Sequence, residues 1–99
     1  MSNAVAVITG AGSLSAGLAR ELSPAGITVN TIAPGFIAGT DFTSRWPAAR
    51  IDGIVAETPV GRAGTPEEVA GLIQYLCSEA AGFITAEIIS QNGGWRFGS

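Results

Sequence analysis

Ninety-nine residues suffice for one domain and exclude a second. Apolar residues make up 46% of the chain and charged residues only 13%, with 14 glycines, which excludes a disordered chain and points to a globular α/β domain. Five scattered arginines against eight acidic residues give a net charge of −3 and exclude a nucleic-acid footprint, while the absence of histidine and the single Cys77 argue against a transition-metal site and an internal disulfide.

In chain order, Ala4-Val5-Ala6-Val7-Ile8 is a short apolar run without alternation, the pattern of a parallel strand buried on both faces. It is too short to span a membrane and has no basic region before it, so no signal peptide or membrane partner is expected, and the location by default is cytoplasmic. After Thr9-Gly10-Ala11-Gly12, Ser13 is placed to cap a helix from about Leu14 to Ser23, on which Leu14, Leu18 and Leu22 recur at helical spacing, with Gly26 beyond Pro24 as a stop.

Ile27 to Ile32 alternates apolar with polar and ends at Pro34-Gly35, which predicts a second strand and a tight loop. Residues 36 to 64 form a long excursion containing Phe36, Phe42 and Trp46, with one short helix expected around Ile51, Ile54 and Val55. Thr65-Pro66-Glu67-Glu68 is the clearest local signal: Thr as cap, Pro at the first helical position, Glu reaching back to the cap amide. The helix should run from Pro66 to about Ser78 with Val69, Leu72, Ile73, Leu76 and Cys77 facing inward. A third strand, Glu87 to Gln91 and at most 86 to 91, closes at Asn92-Gly93-Gly94. The expected architecture is a single α/β domain over 1–99, three layers around a small parallel sheet.

A glycine turn after a buried strand lets a backbone approach a pyrophosphate, and the amides of the following helix face the anion. Thr9, Gly10, Gly12 and Ser13 fit that role, and equally fit a plain strand-to-helix turn. Pro34-Gly35 is likewise open to reading as an ordinary turn. Ser13 and Ser15 have no His or Lys to act as base, and the only tyrosine, Tyr75, is followed four residues later by Glu79. The chain contains no lysine.

Val7-Ile8-Thr9-Gly10-Ala11-Gly12-Ser13, Ala33-Pro34-Gly35-Phe36-Ile37, Arg62-Ala63-Gly64-Thr65-Pro66-Glu67-Glu68 and Gln91-Asn92-Gly93-Gly94 together resemble the short-chain dehydrogenase/reductase family. The resemblance implies a truncated Rossmann-like fold with a deletion between Ser13 and Leu14, where the family carries its catalytic Ser, Tyr and Lys. It implies no catalytic residue in this chain. It further implies a weak or vestigial NAD or NADP site formed by Thr9, Gly10, Gly12, Ser13, Pro34, Gly35, Ile37 and Thr40, and a homo-oligomer built on the last helix and strand. Three readings follow: a truncated oxidoreductase-family chain, a non-enzymatic oligomerisation module, or a portion of a full-length NAD(P)-dependent dehydrogenase.

Overall fold

The computed structural model describes residues 4–9, 12–41 and 43–95. Three parallel strands, β1 (Ala4–Thr9), β2 (Ile27–Pro34) and β3 (Ile88–Gln91), lie in the order β1-β2-β3. Helix α1 (Gly12–Leu22) links β1 to β2, and α2 (Ala48–Glu57) and α3 (Pro66–Leu76) lie between β2 and β3. Short 3-10 turns follow α1 at Ser23–Ala25 and α3 at Glu79–Ala81. Among the described residues no helix is long and apolar enough to cross a membrane.

β2 is the centre of the sheet and is covered on both faces. Ile32 packs on one face with Leu76 and Ala81, and half-buried Leu72, Ile73, Ile84 and Ile89 surround them. Side chains alternate along a strand, so Val29 and Thr31 look to the other face; they are buried too, as are Ser15 and Ala19 of α1, and Val29 and Ala19 stand outside the Ile32 cluster. Two covered faces make the expected three layers. The alternation of apolar and polar residues in β2 therefore does not mark a wet face, because its polar members are buried against protein.

Asn30, fully buried, shows how such a residue is tolerated. Its Nδ2 donates to Ile84 O at 3.1 Å, and its Oδ1 accepts from Glu87 N–H at 3.1 Å. Ala86 N–H donates to Val29 O at 2.7 Å and Thr31 N–H to Glu87 O at 2.8 Å, so strand-like pairing begins ahead of β3 proper. The cost is paid locally in backbone conformation: Ala86 has φ +62°, a region that favours glycine. Left-handed backbone costs a non-glycine residue about 1 kcal/mol. Ala86→Gly is accordingly expected to raise stability, by up to about 1 kcal/mol after the entropy glycine loses on folding; urea unfolding with the midpoint moving up at constant slope is the check.

At α3 the expected capping box is present. Thr65 Oγ1 accepts from Glu68 N–H at 3.1 Å and Glu68 Oε1 accepts from Thr65 N–H at 3.1 Å. Arg62 grips the same carboxylate with two hydrogen bonds, 2.7 and 2.9 Å, and this contact, more than any other, holds the Glu68 pKa down to about 2.

Two expectations need correction, one at the start of α1 and one at the end of α3. α1 starts at Gly12, so Ser13 is its second helical residue and not its cap; β1 runs on through Thr9, which shortens the turn. α3 stops at Leu76, and Cys77, placed by periodicity on the inward face, is exposed because it caps the helix end and no longer follows the helical repeat. The excursion of residues 36 to 64 does contain the single short helix, α2, with Ile51, Ile54 and Val55 half-buried.

Among the described residues the buried apolar side chains are Ala19, Val29, Ile32, Leu76 and Ala81. Phe83 is fully exposed, and Val60, Tyr75 and Ile88 expose about half their surface or more. The radius of gyration, 15.3 Å, exceeds the roughly 13 Å of a compact chain this long, and the extents are 47 × 26 × 22 Å.

Candidate functional site

All three strands point the same way, so their carboxyl ends form one edge of the sheet. Thr9, the last residue of β1, pairs with Ile32, two residues before Pro34 ends β2, and Pro34 pairs with Gln91 at the end of β3. The loops leaving these strands are thereby neighbours. α1 begins at Gly12 with no acidic residue in its first turn, so nothing opposes an anion at its amide end.

The Pro34-Gly35 turn is held by close packing. Gly35 N–H donates to Gln91 O at 2.9 Å, and a Cβ on Gly35 would stand 2.8 Å from both Cα and Cβ of Asn92. Only glycine lets the loops after β2 and β3 touch. Beyond it, Gly64 N–H donates to Phe36 O and Ala38 N–H to Gly64 O, each at 3.0 Å, a parallel bridge that ties down Ile37 from both sides. Ile37 O accepts from Thr43 Oγ1 at 3.1 Å, while the Ile37 N–H has no protein acceptor among the described residues. Gly39, at φ +77°, turns the chain so that Thr40 Oγ1 meets Thr43 Oγ1 at 2.8 Å.

Pro34, Gly35, Ile37 and Thr40 line one cleft of about 470 Å³. Its other walls are Phe36, Thr43, Trp46, Arg50, Ile54 and Trp95. Phe36 and Trp46 stack with centroids 5.5 Å apart, and the Arg50 guanidinium lies 3.9 Å above the Trp46 ring. Trp95 Nε1 donates to Glu57 Oε2 at 3.2 Å, which braces the far wall against α2. A smaller cavity, about 170 Å³, shares Phe36 and Ile37 as lining and reaches Arg62, Glu68 and Gln91.

Four of the eight residues expected to contact a cofactor thus share one cleft. The backbones of Thr9, Gly12 and Ser13 stand at the end of β1 and the start of α1, on the same edge of the sheet. Gly10 lies outside the described residues. Sequence reasoning missed Thr43, Arg50, Ile54 and Trp95 as walls; the aromatic content of the excursion was the available signal. Tyr75, 48% exposed on α3, lines neither cavity. Among the described residues no group of three His, Cys, Asp or Glu could hold a metal ion.

A parallel sheet whose loops converge at the carboxyl edge, with a helix starting directly after the first strand, is of the Rossmann-like type. A family model described as enoyl-(acyl carrier protein) reductase matches residues 5–96. The chain is 47% identical over 77 residues to a 3-oxoacyl-(acyl-carrier-protein) reductase of Aquifex aeolicus, covering 78% of this chain and 31% of that protein. It is 47% identical over 85 residues to an acetoacetyl-CoA reductase of Rhizobium meliloti, covering 85% and 35%. A solved short-chain dehydrogenase/reductase from Brucella melitensis superposes with a TM-score of 0.78 at 36% identity, over 91% of this chain and 43% of that one. A hydroxysteroid dehydrogenase from Escherichia coli gives 0.86 at 25% identity, over 93% and 45%. The chain belongs to the short-chain dehydrogenase/reductase family. It spans about a third of the length of the curated relatives it matches, 31% and 35% for the two above.

Proposed function

We propose that this chain is an internally truncated oxidoreductase-family protein that binds NAD or NADP weakly at its carboxyl-edge loops and has no catalytic residue of its own. The observation that carries the reading is the convergence of Pro34, Gly35, Ile37 and Thr40 on one cleft, with the Ile37 amide open to an acceptor. A dinucleotide would meet backbone donors there and at the start of α1, and the Thr40 hydroxyl is already shared with Thr43. Loss of about three hydrogen bonds at roughly 1.5 kcal/mol each weakens a micromolar site about a thousandfold. Calorimetric titration with NADH and NADPH is expected to return dissociation constants near millimolar; micromolar binding by the isolated chain would refute the partial-site reading.

Oligomerisation is favoured by a separate observation, the exposure of Phe83, Tyr75 and Ile88. Apolar surface is disfavoured in water by about 25 cal/mol per Å². A homo-oligomer formed through α3 and β3 covers Tyr75 and Ile88, and twofold pairing of β3 closes an open sheet edge. Light scattering is expected to give a dimer or larger species that dissociates on joint Tyr75→Glu and Ile88→Glu substitution. A monodisperse monomer at high micromolar concentration would contradict it.

A further inference from the structure

We propose that the cleft beside α2 takes the apolar body of a small amphiphile and that Arg50 reads an oxyanion at its end. The proposal rests on the reading of this cleft as a ligand site but not on dinucleotide binding. Phe36, Ile37, Trp46, Ile54 and Trp95 make its walls predominantly apolar. The hydroxyls that reach it are committed: Thr40 and Thr43 bond each other at 2.8 Å, and Thr43 also donates to Ile37 O. Apart from the Ile37 N–H, these walls have little to offer a polar group. A volume of about 470 Å³ falls in the usual range of ligand pockets.

Arg50 is the exception among the walls. Its guanidinium lies over Trp46 at 3.9 Å and makes no hydrogen bond or ion pair with an acceptor among the described residues. Contact with the indole face restrains the guanidinium and leaves its N–H groups without an acceptor among the described residues, and a guanidinium suits two-pronged recognition of a carboxylate or a phosphate. An apolar trough with one oriented, unpaired cation at its wall is complementary to a ligand apolar along its length and anionic at one end. Neutral chains of the same length would fill the trough and leave Arg50 without a partner.

Trp46 and Trp95 both line the cleft, so intrinsic fluorescence reports its occupancy. The full chain, free of dinucleotide, is titrated with octanoate, octyl phosphate and octanol. Saturable changes are expected with both anions at dissociation constants at least tenfold below that of octanol. Tighter binding of octanoate assigns the natural ligand a carboxylate, and tighter binding of octyl phosphate assigns it a phosphate end. Arg50→Gln is expected to bring anion and alcohol within twofold while octanol binding stays unchanged, and Arg50→Lys to retain a preference of at least threefold. Equal binding of octanol and the anions by the unaltered chain would overturn the proposal, as would an anion preference that survives Arg50→Gln or an absence of saturable binding with all three. Calorimetry with NADH is read independently, so failure of either titration leaves the other reading standing.

Discussion

Purified to homogeneity, the chain is expected to oxidise neither NADH nor NADPH above the protein-free rate when offered ketones or 3-oxoacyl thioesters. Hydride delivery to a carbonyl needs a proton donor beside the oxygen, and a positioned acid contributes about 10² to 10⁴ in rate. Tyr75 is the sole tyrosine, stands outside both cavities, and has the acidic Glu79 four residues later where a cation would assist proton donation. No lysine exists anywhere in the chain. On the proposed reading of a partial cofactor site with no catalytic acid, turnover should fall at least four orders of magnitude below the usual range of about 1 to 10³ per second. Absorbance at the reduced-nicotinamide band measures it, and turnover that survives Tyr75→Phe would show that another group donates the proton.

Asn30→Leu is expected to be the most damaging single substitution outside the apolar core. The change is nearly isosteric, so little cavity forms, yet it strands Ile84 O and Glu87 N–H, which Asn30 alone satisfies with its side chain. Both hydrogen bonds are part-buried, and each one lost costs about 0.5 to 1.5 kcal/mol, about 1 to 3 in all. For a chain whose total stability is of order 5 to 15 kcal/mol, that is a large fraction. The damage should reach the cleft, because residues 84–87 lead into β3, and the turn after β3 seats Asn92 against Gly35. Urea unfolding monitored by circular dichroism reads the loss; a shift below 1 kcal/mol would mean that residues 84–87 are held without the Asn30 clamp.

Features carried by a few adjacent residues were legible before the fold was known. Thr65-Pro66-Glu67-Glu68 encodes its capping box within a single turn of chain, and the apolar run at Ala4 and the Pro34-Gly35 stop bound their strands by local preference alone. The role of Asn30 was not legible. In sequence it is one polar residue in an alternating strand, and its burial depends on a segment more than fifty positions later. The same holds for the cleft: Arg50 stacks on Trp46 within one excursion, but Trp95 arrives from beyond β3. Cys77 shows the converse error, a helical period carried one residue past the point where the helix ends.

Amide chemical shifts tracked by NMR during titration with NADH and NADPH decide whether the carboxyl-edge loops carry a residual dinucleotide site. The Ile37 amide is expected to move most among residues 34–40, together with Gly12 and Ser13 at the start of α1, saturating in the millimolar range. Saturable shifts confined to residues away from these loops, or no shift at Ile37 up to ten millimolar dinucleotide, about ten times the expected dissociation constant, would contradict the account.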